Sequence, residues 1–207
     1  MNTQKTGSRD NVSLKTKLLA KAALLTIIAV VLQALEFLIP FLPFIPPFLK
    51  FELSDIPAIL GAFALGPAAG VAIEFVKNVI HFVLGLNPTG GVGELANFIV
   101  GSALVIPAGL IYKRHKSKKS AIIGLCAGIV TMVIVAAIFN YTVLLPFYGQ
   151  IMPIQAIIDM SAAVNPWITD MKTLVIYGII PFNIFKGVLI SILTLLIYKR
   201  ISPILHR

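Results

Sequence analysis

Basic residues in this chain are bunched rather than spread. Five lie in the first 21 positions (Lys5, Arg9, Lys15, Lys17, Lys21), five between Lys113 and Lys119, and three at the far end (Lys199, Arg200, Arg207). Between the bunches run apolar stretches that reach the roughly 20 residues a helix needs to cross a hydrocarbon core of about 30 Å. That alternation dictates an integral membrane protein seated in the lipid bilayer. Composition excludes the alternative: 58% of the 207 residues are hydrophobic and only 12% are charged, which leaves too little polar surface to cover a water-soluble particle. The net charge of +9 does not point to nucleic acid, because the basic residues form no solvated stripe interleaved with aromatics. The single Cys126 can form no intramolecular disulfide and no cysteine metal cluster, and its apolar setting predicts a small buried hydrophobe.

Short loops rich in Lys and Arg stay in the cytoplasm, which places the N-terminus, the 113–119 loop and the C-terminus on one side and an even number of spans between each pair. The first apolar stretch continues from Leu18 past Leu32 with no small-residue cleavage site, so it reads as a retained helix, about Lys17 to Ile39, and not as a signal peptide. A fourth helix covers about Val92 to Tyr112, a fifth about Ser120 to Leu145, and a sixth about Leu174 to Tyr198, with an outer segment from Pro146 to Lys172. An even count in the first half requires residues 56 to 84 to hold two helices, and Gly66-Pro67 supplies the break. The second helix, Ile56 to Leu65, is too short to span alone, so Pro40 to Asp55, with prolines at 40, 43, 46 and 47, must dip into the membrane where protein or a water-filled cavity shields it. The expected architecture is an all-α membrane protein of six transmembrane helices with both termini cytoplasmic. It comprises a basic tail over 1–16, a bundle over 17–200 and a second tail over 201–207, without internal repeats.

Catalytic spacings are absent: no phosphate loop, no H-E-x-x-H zinc motif and no G-x-S-x-G elbow. The sequence calls for no metal, no cofactor and no enzyme activity, and Gly90-Gly91-Val92-Gly93 reads as a tight turn. What remains are polar residues inside the spans, which are costly in lipid and therefore candidates for function. Asn183 and Lys186 stand three residues apart on one helix face. An amide and an ammonium together suit a ligand edge with carbonyl oxygens and an N–H; alternatively Lys186 snorkels to the outer interface. Asn140 adds a second amide, for a ligand or for a helix-to-helix hydrogen bond. Glu94 and Asn97 share a face at the start of helix 4, where they bind a polyol or cap the helix. Glu74, Lys77, Asn78 and His81 form a polar stripe whose favoured reading is an internal ion pair. Ser54 or Asp55 reads as a helix cap, with Phe51 as a wall of the pocket. Trp167, with Asp159 and Asp170, reads as an interfacial anchor on a lid-like loop.

The stretches Leu49-Lys50-Phe51-Glu52-Leu53-Ser54-Asp55-Ile56-Pro57-Ala58, Gly93-Glu94-Leu95-Ala96-Asn97-Phe98, Phe139-Asn140-Tyr141 and Asn183-Ile184-Phe185-Lys186-Gly187 together resemble the substrate-binding S components of energy-coupling factor (ECF) vitamin transporters, the riboflavin-specific members above all. The resemblance implies a six-helix bundle in a bacterial cell membrane with a riboflavin pocket near the outer face, lidded by the loop between helices 1 and 2. It implies that Asn140, Asn183 and Lys186 hold the flavin's pyrimidine edge and that Glu94 and Asn97 lie toward the ribityl chain. It further implies that small residues of helix 1, here Ala22, Thr26 and Ala29, meet a membrane coupling subunit driven by two cytoplasmic ATPases, although the strict A-x-x-x-A spacing is missing. Competing readings are another vitamin or flavin mononucleotide in the same scaffold, an intramembrane enzyme, which lacks its nucleophile, and a membrane assembly subunit.

Overall fold

The computed structural model describes residues 4–35, 46, 48–86 and 89–205, and the side chains of all of these except 4–14 and 199–205. Helices dominate: α1 Gln4–Ala34, α2 Asp55–Leu65, α3 Pro67–Val83, α4 Val92–Arg114, α5 Lys118–Phe139, α6 Leu145–Ile151, α7 Ile154–Ala162, α8 Met171–Leu174 and α9 Ile180–Leu205. Wide π-helical turns, Asn140–Leu144 and Val175–Ile179, join α5 to α6 and α8 to α9. No strand is present among the described residues.

Among the described residues, four helical runs are long and apolar enough to cross a membrane: Lys15–Ala34, Val92–Arg114, Lys118–Ile151 and Met171–Tyr198. The break expected at Gly66-Pro67 is present. Gly66 takes φ 106°, open to glycine but rarely adopted by residues with a Cβ, and Pro67 starts α3 where its missing N–H costs nothing. The 11-residue α2 is about 16 Å long. Beyond Asp55 it is apolar all round, and such a helix belongs inside: every residue from Ser54 to Phe63 is buried, with α1, α3, α4 and α9 against it.

Several boundaries differ from expectation. Helix 1 begins at Gln4, within the stretch read as a basic tail, because nothing there breaks a helix. Pro40, Pro43 and Pro47, with the lid expected around them, lie outside the described residues. Pro46 is buried, and its Cγ would stand 2.9 Å from a Cβ placed on Gly178. The outer segment read from Pro146 is partly helix: the run from α5 continues to Ile151. Pro146 does not end the run because a π turn stands immediately ahead of it, and the wider turn relieves the clash between a proline ring and the carbonyl four residues back. The same device recurs at Pro181, just after Val175–Ile179, where the Tyr177 carbonyl that loses a backbone donor accepts from Asn165 Nδ2 at 3.4 Å. Cys126 is exposed on the outer surface of α5, contrary to the buried hydrophobe expected, because an apolar helix in a membrane protein turns apolar residues outward as well as inward.

Candidate functional site

The two π turns set the geometry of the site. Asn140 opens the first and Asn183 follows the second, each buried. Each amide donates one N–H to the carbonyl four residues back, Asn140 to Ala136 at 2.7 Å and Asn183 to Ile179 at 2.8 Å. That anchors both side chains while leaving each amide a second N–H and its oxygen. One turn beyond Asn183, Lys186 lies on the same face of α9.

These three residues line one cavity of about 520 Å³, together with Glu52, Asn97, Phe48, Leu49 and apolar side chains of α4, the first π turn, α6, α7 and α9, among them Val100, Leu144, Tyr148, Ile157, Met160 and Phe182. The size suits a small molecule, and the pattern of apolar walls with a few convergent polar groups is that of a ligand pocket. The α6–α7 segment, read as an outer loop, supplies part of the wall.

Lys186 does not snorkel. It is 7% exposed, and its Nζ lies 3.3 Å from Glu52 Oε1 and 3.2 Å from Asp55 Oδ2. Asp55 Oδ1 in turn lies 2.6 Å from Lys77 Nζ. Lys77 also donates to Ser54 Oγ at 2.5 Å and approaches Glu74 Oε2 at 2.9 Å. Ser54 Oγ donates to Glu52 Oε2 at 2.9 Å. Three carboxyls and two ammoniums thus converge in the interior, none of them more than 7% exposed. Lone buried charges would cost far too much, so the groups must be matched to one another.

The favoured ion pair of Glu74 with Lys77 is present but forms one edge of this larger cluster. The expected cap on α2 is absent: Ser54 has helical backbone angles and no capping hydrogen bond, because its hydroxyl is committed to Lys77 and Glu52, and Asp55 is committed to the two lysines. Glycine makes room for the cluster, since a Cβ on Gly101 would fall 2.5 Å from Glu74 Oε2.

Asn97 lines the cavity and donates from Nδ2 to Glu52 Oε1, while its Oδ1 is buried without a partner. Glu94 does not line the cavity; it is buried with Oε1 3.0 Å from His81 Nδ1. Phe51, expected as a wall of the pocket, does not line the cavity; its ring centroid lies 6.2 Å from that of Phe185. The remaining stripe residue, Asn78, accepts from Gln33 of α1 at 3.0 Å. On α1, Ala29 is fully buried inside the bundle, whereas Ala22 and Thr26 are half-buried.

Glu52, Ser54 and Asp55 were read as motif or cap residues and not as partners of Lys186 and Lys77. Charge matching could have found them: two lysines inside apolar spans require carboxylates at the same depth, and Glu52, Asp55 and Glu74 are among only 8 acidic residues in the chain.

Residues 17–198 match the family described as the substrate-specific component of ECF transporters. The chain is 39% identical to the riboflavin transporter RibU of Staphylococcus aureus (strain TCH60), over 93% of this chain and 94% of that protein. It is 36% identical to the riboflavin transporter FmnP of Bacillus subtilis (strain 168), over 92% and 94%. Among solved structures it is similar to the S component of a bacterial ECF transporter, with a TM-score of 0.73 and 38% identity, covering 93% of this chain and 99% of that one.

Proposed function

The chain belongs to the substrate-specific components of ECF transporters, and we propose that it is the membrane subunit that binds riboflavin in the cavity between the 48–52 loop, α4, α6, α7 and α9. The observation that carries this reading is the cavity wall: about 520 Å³ of largely apolar space with Asn140, Asn183 and Lys186 converging on it, in a chain 36–39% identical to proteins named riboflavin transporters. The amides and the ammonium supply the donors and acceptors that the ring's two carbonyls and N3–H require, and the apolar walls take the fused rings. Asn97 and Glu52, which line the same cavity, take ribityl hydroxyls. Glu94 acts at a remove, through the helix start it shares with Asn97, and Phe51 through its chain neighbours Lys50 and Glu52, which line the cavity. Lys186 faces two carboxylates, so its charge is already matched and this wall favours the uncharged flavin over its phosphate.

In the bilayer the chain makes six crossings, and the basic bunches keep both termini in the cytoplasm of a bacterial cell. The subunit performs no chemical step. A membrane coupling subunit and two cytoplasmic ATPases reorient it. Ala22 and Thr26, half-buried on α1, are better placed to meet that coupling subunit than Ala29, which is enclosed by this chain's own helices.

Titration of riboflavin into the purified protein in lipid nanodiscs, followed by flavin fluorescence, tests the assignment. Saturable quenching at one flavin per chain is expected; fluorescence that stays at its free value throughout refutes it.

A further inference from the structure

The contacts around Lys186 close on themselves. From Lys186 Nζ the path runs to Asp55 (3.2 Å), from Asp55 to Lys77 (2.6 Å), from Lys77 to Ser54 (2.5 Å), from Ser54 to Glu52 (2.9 Å) and from Glu52 back to Lys186 (3.3 Å). Lys186 and Glu52 line the cavity; Asp55, Ser54 and Lys77 do not, and all three are fully enclosed. Position divides the two ammoniums by role. Lys77 donates to Asp55 and Ser54, lies 2.9 Å from Glu74 Oε2, and is fully enclosed away from the cavity, so it has nothing to offer a ligand. Lys186 donates to Glu52, lies 3.2 Å from Asp55 Oδ2, and lines the cavity, where an ammonium's remaining N–H capacity is available.

We infer that Lys77 is a positioning residue for ligand binding: through Asp55 on one side and through Ser54 and Glu52 on the other, it fixes the Lys186 ammonium at the cavity wall. The inference rests on the proposed function, since it concerns how the ligand-facing lysine is held. Its physical basis is that a lysine head is a point charge on a flexible four-carbon stem, with no planar fork to fix its direction. Two carboxylates from different positions determine where that charge sits, but only if each carboxylate is itself fixed. Lys77 fixes one directly and the other through a single hydroxyl, so opening the ring at any link lets the cavity charge drift without removing a residue from the wall.

The test uses the full chain in nanodiscs with riboflavin as the probe. Three variants are compared with wild type for affinity, for the visible absorption band of bound flavin at saturation, and for melting temperature without ligand. Ser54→Ala deletes one hydroxyl of the ring, Asp55→Asn removes one carboxylate charge, and Lys186→Gln keeps a donor but no charge, giving the reference spectrum. The expected result is an affinity loss of roughly tenfold for Ser54→Ala, a larger loss for Asp55→Asn, and in both a bound-flavin band displaced from wild type in the direction of the Lys186→Gln complex. The band reports charge beside the ring, which a merely structural role for the ring would leave alone. Wild-type affinity and spectrum in Ser54→Ala overturn the inference, and so does weakened affinity with a wild-type spectrum. Should Asp55→Asn fail to fold, Ser54→Ala decides alone. A wild-type protein that binds no riboflavin defeats the proposed function itself and is distinguishable at the first titration.

Discussion

Replacing Lys186 with Met should destabilise the empty protein, quite apart from its effect on any ligand. The cluster holds Glu52, Asp55 and Glu74 against Lys77 and Lys186, with exposures of 3%, 0%, 0%, 0% and 7%, so solvent screens none of it. Methionine has nearly the length of the lysine stem and fills the same space, which leaves the charge as the main thing removed. Three carboxyls then face one ammonium. Breaking a buried pair by removing one partner costs about 3–5 kcal/mol, because the charge left behind stays out of water. For a chain of this size each kcal/mol moves the melting temperature by about 2–4 °C, so the expected fall is roughly 6–20 °C. A second substitution separates charge imbalance from lost packing: Glu52→Gln keeps the shape and the oxygen that accepts from Asn97 while removing one negative charge. Lys186→Met with Glu52→Gln should recover more than half of the loss. Thermal unfolding in nanodiscs without riboflavin, followed by helix content, reads both. A single variant that melts within about 2 °C of wild type, or a double variant no better than the single, would refute the account of the cluster as a set of mutually required charges.

Three other perturbations have defined outcomes. Gly128→Ala places a Cβ 2.5 Å from the Leu104 carbonyl oxygen, a backbone atom that cannot swing aside, so α4 and α5 must part and the melting temperature should fall by the equivalent of about 1–3 kcal/mol; Gly149→Ala, whose nearest neighbour is 3.9 Å away, is the control and should melt with the wild type. Asp170 caps α8 by accepting from the Thr173 backbone N–H at 2.8 Å, and that bond, with a second from the Thr173 hydroxyl, holds its carboxyl below the usual range. A depressed folded pKa gives stability that is present above the unfolded value of about 3.9 and is lost as pH falls through the folded one, so wild type should outlast Asp170→Ala at pH 7 and the difference should vanish in melts taken at progressively lower pH. Trp167, the sole tryptophan, is 71% exposed and lies edge-on to Tyr177 at 5.6 Å; if it anchors the interface, lipids brominated near the headgroup should quench its emission more than lipids brominated at the chain ends.

How much of this could be read from residues alone depends on the range of the interaction. The Gly66-Pro67 break and the Gly90-Gly91 turn were readable because backbone freedom and a missing N–H act within one or two residues. Asn183 and Lys186 were readable as a pair because three positions along a helix define a face. The continuation of α5 through Pro146 was not. Proline weakens a helix on local grounds, and the π turn ahead of Pro146 that eases its passage depends on packing against the rest of the bundle. Ser54 and Asp55 depart from the cap reading for a related reason. A Ser-Asp step before an apolar helix is a good cap in water, where the hydroxyl has no better use. Here Lys77, 23 positions from Ser54, offers a charge-assisted partner in a fully buried site, and that outweighs one capping bond.

A binding site inside a membrane must solve two problems that pull in opposite directions. It needs strong hydrogen-bond donors to recognise a polar ring edge, and the strongest single donor here is an ammonium, yet an unmatched ammonium at that depth is prohibitive. Amides alone would avoid the charge, and Asn140 and Asn183 show that choice, each held by a carbonyl of its own helix. Adding Lys186 becomes possible only because carboxylates from the 52–55 segment already lie against it, and they in turn tolerate burial only because Lys77 lies beneath them. The charged donor at the wall therefore entails the whole cluster behind it, along with the side-chain-free Gly101 that leaves space for Glu74. The same matching restricts what the cavity should accept. A ligand that brings its own charge would upset a balance set by residues out of its reach, whereas an uncharged ring with carbonyl oxygens can take the remaining Lys186 donor and leave the cluster as it is.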